Sequence, residues 1–347
     1  MATLAHHLLS RALELVARET EESYNDRKNF RDTCTLETCP LELSFWGYRP
    51  SLPANAMFAA LFGLSTVLFI AQGAFSRRFL GFTVAMVSGC ALEVIGYIGR
   101  SLSYKNPFAE NPFLIQIICL TIAPAFLAAG IYLCLSRIVL TFGAHNSRIA
   151  PLSYPRIFIP CDLASLMLQA AGGGIASSAS HQDKDPTVGN NIMIAGLTIQ
   201  VVTLLIFIIL ALDFTLRTYR RIKELGSQNA LDQTHARLRS SWAFQGFLAA
   251  LAFATLCIFT RSVYRVAELS EGWNGRLIKT QSYFIGLEGA IVGAAVLALN
   301  AFHPGLCFSE GYDSKLGGCS CFGRRKKSVD STGSGAMSSQ DVEREAK

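Results

Sequence analysis

Charged and polar side chains stand inside long apolar stretches of this chain, and they do so at helical spacing. Glu93 has Tyr97 four residues on and Arg100 seven on, which is one face of a helix. Asp162, Ser165, Gln169 and Gly172 follow each other by three, four and three residues, again one stripe. Arg261, Arg265 and Glu268 share a face, and so do Gln281 and Glu288, seven apart. An ionisable group at bilayer mid-depth costs ~3 kcal/mol or more on insertion scales, so each needs a partner or a task. One task is recognition of charge: a buried carboxylate in apolar surroundings suits an amphiphilic, cationic headgroup. The other use of such residues is hydrogen bonding that holds helices together.

These residues need elements that cross a membrane. The chain has 347 residues, 51% of them hydrophobic and only 16% charged, with mean hydropathy +0.34. Soluble domains carry about 25% charged residues. The deficit excludes a disordered protein and argues against a soluble enzyme. Seven apolar runs, at about 53–74, 80–99, 113–136, 157–178, 191–213, 242–260 and 280–302, are each long enough to span. They are too long for membrane strands and do not alternate apolar with polar residues. The expected fold class is therefore all-α, a polytopic bundle of seven transmembrane helices. Residues 1–52 form a polar tail, in which Leu8–Val16 reads as an amphipathic surface helix rather than a signal-peptide core. Residues 303–347 form a basic tail whose end, rich in Ser, Gly and charge, reads as disordered. Pro124 predicts a kink in the third span. Gly172-Gly173-Gly174 and the Gly289/Gly293 pair mark close helix contacts, and the triple glycine leaves room for a break near the outer end of the fourth span.

Charge predicts orientation. The loops after runs 1, 3 and 5 and the C-terminal tail hold 18 Lys/Arg, and the loops after runs 2, 4 and 6 hold seven. The positive-inside rule then puts the N-terminus outside and the C-terminus in the cytosol. At 1.5 Å per residue Glu93 lies ~20 Å from the inner end of its span and Glu288 ~12 Å below the outer end of its own. Both fall in the outer half. The expected site is thus an outward-biased polar cavity lined by Glu93, Gln169 and Glu288, with a separate inner cluster of Asp162 and Arg137. Cys34 and Cys39 fall in the outer tail, where a disulfide persists; two free thiols are the alternative. Cys307, Cys319 and Cys321, beside Arg324, Arg325, Lys326 and Lys327, are palmitoylation candidates, with a solvated basic tail as the plain reading.

Other chemistry lacks its residues. Gly318–Arg325 has the glycines of a phosphate loop without its Gly-Lys-Ser/Thr ending. No HExxH, histidine box or GxSxG elbow occurs. The reading is therefore no enzyme, no cofactor and no metal site. Basic residues sit between apolar runs rather than on one soluble face, so nucleic acid is not an expected partner.

Several strings together resemble the RTA-like family of fungal lipid-translocating exporters. They are Tyr48-Arg49-Pro50-Ser51 with Asn55, Glu93-Val94-Ile95-Gly96-Tyr97 through Arg100, and Ala123-Pro124-Ala125 with Ala129-Gly130-Ile131-Tyr132. Further on come Cys161-Asp162 through Gln169, Gly172–Gly174, Gly196-Leu197 with Gln200, Arg261 with Tyr264-Arg265 and Glu268, and His303-Pro304-Gly305. The match runs over about residues 40–306. The resemblance implies a seven-span plasma-membrane protein handling sphingoid long-chain bases or toxic amphipathic compounds, and in some members porphyrin or haem. It assigns the family's motif positions to Glu93, Asp162, Gln169, Arg261, Arg265, Glu268 and Glu288. Gln281 stands where the family often has an acid, a departure that bears on substrate or coupling. Together these readings predict an exporter of lipid-like amphiphiles, with membrane lipids and an amphiphilic small molecule as partners. A seven-span sensor or regulator of lipid asymmetry is the alternative, although Leu135-Ser136-Arg137-Ile138 lacks the D-R-Y-like triplet expected of a receptor.

Overall fold

The computed structural model describes residues 34–308 except 42–43, 45, 78, 182–184, 232–234 and 272–274. Seven helices there are long and apolar enough to cross a membrane. They are α1 (Leu52–Ser76), α2 (Leu80–Leu102), α3 (Glu110–Phe142), α4 (Ser153–His181), α5 (Thr187–Ala230), α6 (Trp242–Ser270) and the composite α7 (Gln281–Cys307). No strand occurs among the described residues. Leu8–Val16, Cys319, Cys321 and the cations at 324–327 lie outside them.

Each apolar run sits in one helix, but the helices outlast the runs. Hydropathy registers the lipid-facing part, whereas a helix continues wherever its backbone bonds stay satisfied. α5 extends from the apolar run through Arg217, Arg220, Arg221 and Lys223 to Ala230. Helix starts follow local chemistry. Pro53 lies in the first turn of α1, where a missing N–H costs nothing. Before α5 the exposed Asp185 carboxylate accepts the Thr187 N–H at 3.0 Å and its hydroxyl, bonds that hold the Asp185 carboxyl below the usual carboxylate range. Gly143, at φ 110°, ends α3.

Consecutive helices pack as neighbours: α1 on α2, α2 on α3, α4 on α5, α6 on α7, and α7 back on α1. α3 also meets α4, α5 and α6. Its most apolar window is 56% buried, against 28% in α1 and in α4, so α3 is the inner helix. Glycines set the tightest approaches. A Cβ at Gly172 of α4 would stand 2.5 Å from the Met193 nitrogen of α5, so α4 and α5 touch backbone to backbone there. Gly289 of α7 lies likewise against Phe58 of α1. α4 runs unbroken through its triple glycine, of which Gly172 makes the close approach to α5. α7 is the irregular helix: Phe284–Ala290 winds as a π-helix before α-helix resumes at Ile291–Ala301. His303 then interrupts it ahead of the short turn Pro304–Cys307.

Candidate functional site: a buried charge cluster

Three acids and three arginines gather where α2, α3, α6 and α7 meet, toward the end that carries the N-terminal segment. Arg261 of α6 and Glu288 of α7 form an ion pair at 2.5 Å, with side chains only 2% and 1% exposed. The pair is organised by a proline. Pro124 has no N–H, so the Leu120 carbonyl four residues back loses its helical donor. The Arg261 guanidinium donates to that carbonyl as well as to Glu288. One cation thus ties α3, α6 and α7 together at the point where α3 cannot complete its own ladder. Glu288 reaches it from the π-helical segment, a geometry that recurs at functional sites.

The second pair lies within α6. Arg265 donates to Glu268 at 2.5 Å and to the Thr121 hydroxyl at 3.2 Å, and the Tyr264 hydroxyl donates to Glu268 at 3.4 Å. Arg100 of α2 is bound without a carboxylate. It donates to Gln116 Oε1 at 3.2 Å and to the Tyr48 hydroxyl. Its guanidinium stacks 3.7 Å over Phe284 and 4.5 Å over Trp46. Trp46 and Tyr48 belong to the N-terminal segment, whose Cys34 and Cys39 are joined in a disulfide. Trp46 also meets Phe113 edge-on at 5.0 Å. This segment is a strap across the Arg100 end of the cluster.

Glu93 is different. It is 1% exposed, and neither carboxylate oxygen has a hydrogen-bond partner. The charges of Arg261, Glu288 and Arg265 act on it, but each of those arginines donates to another acid. The Tyr97 hydroxyl, one turn on, is also buried and unpartnered. A buried carboxylate without a hydrogen bond is among the costlier features a fold can carry.

The structure divides the expected residues into two groups. Glu93, Tyr97, Arg261, Arg265, Glu268 and Glu288 come together. Gln169 does not join them: it donates to Gln200 Oε1 at 3.2 Å across α4 and α5. That replaces the expected cavity lining of Glu93, Gln169 and Glu288. Nor is Asp162 paired with Arg137. The Tyr132 hydroxyl donates to Asp162 at 2.9 Å, while Arg137 lies 6.0 Å from the Phe79 ring. Five residues along α3 turn Tyr132 and Arg137 about 140° apart, so both cannot face α4. Cys307 is buried, with its thiol among core residues. Spacing gave no sign of the Leu120 carbonyl, or of Trp46 and Phe284 around Arg100. The readable signal for Leu120 was the proline four residues later. Among the described residues no His/Cys/Asp/Glu group could hold a metal ion.

Seven helices long and apolar enough to cross a membrane, closed around an internal charge cluster, define a polytopic helical membrane protein. The chain belongs to the RTA1-like family: the family model described as RTA1 like protein matches residues 86–311. It is similar to the sphingoid long-chain base transporter RSB1 of Saccharomyces cerevisiae, 36% identical over 285 residues that cover 76% of this chain and 74% of the relative. It is also similar to protoporphyrin uptake protein 1 of the same yeast, 29% identical over 300 residues covering 77% and 93%. A third relative, protein RTM1, is 30% identical over 223 residues covering 63% and 67%. No solved structure matches.

Proposed function

We propose that this protein transports a single-tailed cationic amphiphile of the sphingoid-base class, with Glu93 as the anion that receives the amine. One observation carries the reading: Glu93 is buried with both oxygens unpartnered beside arginines that already donate to other acids. An ammonium supplies both charge and hydrogen-bond donors, and the alkyl tail stays in lipid. Tyr97 is the adjacent hydroxyl for a polar group near the amine. Support also comes from the names of two relatives, one a sphingoid long-chain base transporter and the other a porphyrin uptake protein. In this reading the protein is not an enzyme. It sits in the plasma membrane with its N-terminus outside and its C-terminus in the cytosol, following the Lys/Arg bias. The cluster then lies in the outer half of the bilayer.

The test is purified protein in liposomes loaded with a labelled sphingoid base, following label outside. Protein-dependent release supports direct transport. Release equal to that of empty liposomes, from folded protein, refutes it and favours a sensor or regulator of membrane lipid.

A further inference from the structure

Away from the charge cluster, α5 and α6 splay over α3 and leave an apolar cavity of about 580 Å³. That volume lies within the ~300–1,000 Å³ of ordinary ligand sites. Ile131, Leu135 and Phe142 of α3 form its floor, and Phe207 and Ile208 line its α5 wall. Small residues keep it open, Ala211 on α5 and Ala249 and Ala252 on α6. No cluster residue lines it: its residues lie in the C-terminal half of α3, from the middle of α5 onward and in the N-terminal half of α6, toward the opposite end of the bundle.

Two observations describe what would fill it. Thr218 lines the cavity, is 5% exposed, and its hydroxyl has no hydrogen-bond partner. The other lining threonines are satisfied locally: Thr215 donates to the Ala211 carbonyl and Thr255 to the Leu251 carbonyl. Cations gather at the same end. Arg239 donates to the Thr141 carbonyl at 2.9 Å and lies 6.0 Å from the ring of Phe142, a lining residue. Arg221, one residue before lining residue Ile222, donates to Asn146 at 2.8 Å. Arg217 and Arg148 flank Asp213, whose single charge does not offset both. An apolar slot, an orphan hydroxyl and a rim of arginines match a lipid with an acyl chain and an anionic head. They do not match an amine, which the arginines repel.

We infer that the α3–α5–α6 cavity is a binding site for an anionic phospholipid, with one acyl chain between the alanines and the headgroup phosphate against Arg239 and Arg221. The site is separate from the proposed amine site and of opposite charge preference. In the orientation proposed above it faces the cytosolic leaflet, where anionic lipids concentrate. The protein would thus hold a resident lipid on one side while handling a cationic amphiphile on the other.

The test uses the full chain in phosphatidylcholine nanodiscs with traces of spin-labelled phosphatidylserine or spin-labelled phosphatidylcholine. Electron paramagnetic resonance then reads the motionally restricted fraction. The wild type should restrict phosphatidylserine over phosphatidylcholine, and raised salt should weaken the preference. Arg239→Gln should cut the preference about fivefold, the equivalent of about 1 kcal/mol per cation near an anionic surface. Ala252→Phe, at an exposed position that tolerates bulk, should fill the slot and remove the restricted component for both lipids. Equal restriction of the two lipids by the wild type overturns the proposal. So does a restricted fraction that Ala252→Phe leaves unchanged in protein that still elutes as one folded species. Neither readout involves transport, so the result stands apart from the function proposed above.

Discussion

Replacing Glu93 by Gln keeps the shape of the side chain and removes its charge. Because neither oxygen is hydrogen-bonded within the protein, the change breaks no hydrogen bond at Glu93. It also removes a carboxyl group that burial without a hydrogen-bond partner makes costly to ionise. The thermal midpoint should therefore stay level or rise. Transport should move the other way. A hydrogen bond to a charged group contributes about 1.5–3 kcal/mol, so release of a sphingoid base should fall roughly ten- to a hundredfold. The assay is release from proteoliposomes, run beside an N-acetylated base that carries no charge. The deficit should appear with the amine and vanish with the amide. Glu288→Gln is the informative contrast. It breaks a 2.5 Å buried pair and leaves Arg261 uncompensated, which costs ~3–5 kcal/mol, or roughly 6–10 °C in a chain of this size. Stability and transport thus separate the two acids. Wild-type release of the charged base by Glu93→Gln refutes the assignment. A loss of stability matching that of Glu288→Gln also refutes it, by making Glu93 a structural anchor.

Three further outcomes follow from the packing. In a double-mutant cycle, Arg261→Leu with Glu288→Leu should be less destabilised than either single change, with a coupling of about 2 kcal/mol or more in thermal or denaturant melts; additive effects would refute the pairing. Gly172→Val should cost ~1–3 kcal/mol because its Cβ meets the Met193 nitrogen, whereas Gly174→Ala, with nothing within 4 Å, should leave the melting midpoint unchanged. Trp46→Ala should loosen the strap over Arg100, raising hydrogen exchange in residues 46–51 while the spans keep their protection; unchanged exchange would place the strap's anchor elsewhere.

Membrane class and helix count were legible because apolar length is a strong signal at this scale: every run became one helix. The charge cluster was legible in part. Heptad spacing placed Glu93 with Tyr97 and Arg100, and Arg261 with Arg265 and Glu268, since such spacing is read within one helix. Partners across helices were not legible. Asp162 took Tyr132 rather than Arg137, and Gln169 took Gln200 rather than facing Glu93. Depth alone had grouped these residues, and depth leaves the angle around each helix open. The π-helical segment of α7 also had no sequence marker, yet it shifts the register of Glu288 against the preceding turns.

The prolines tie these levels together. Pro124 frees the Leu120 carbonyl, and Arg261 takes it. At the other end the helix stops at Ala301, ahead of Pro304, and the Gln72 amide takes the Asn300 carbonyl at 2.9 Å. In lipid a freed carbonyl needs another donor, and at Leu120 a side chain of a neighbouring helix supplies it. The same missing N–H that weakens α3 locally therefore positions Arg261 on Glu288. Arg261 donates to Leu120 and Glu288, and Arg265 to Glu268 and Thr121, while Glu93 accepts from neither. On the reading proposed above, Glu93, with both oxygens unpartnered, receives the ligand rather than Glu288, whose Oε1 Arg261 already holds.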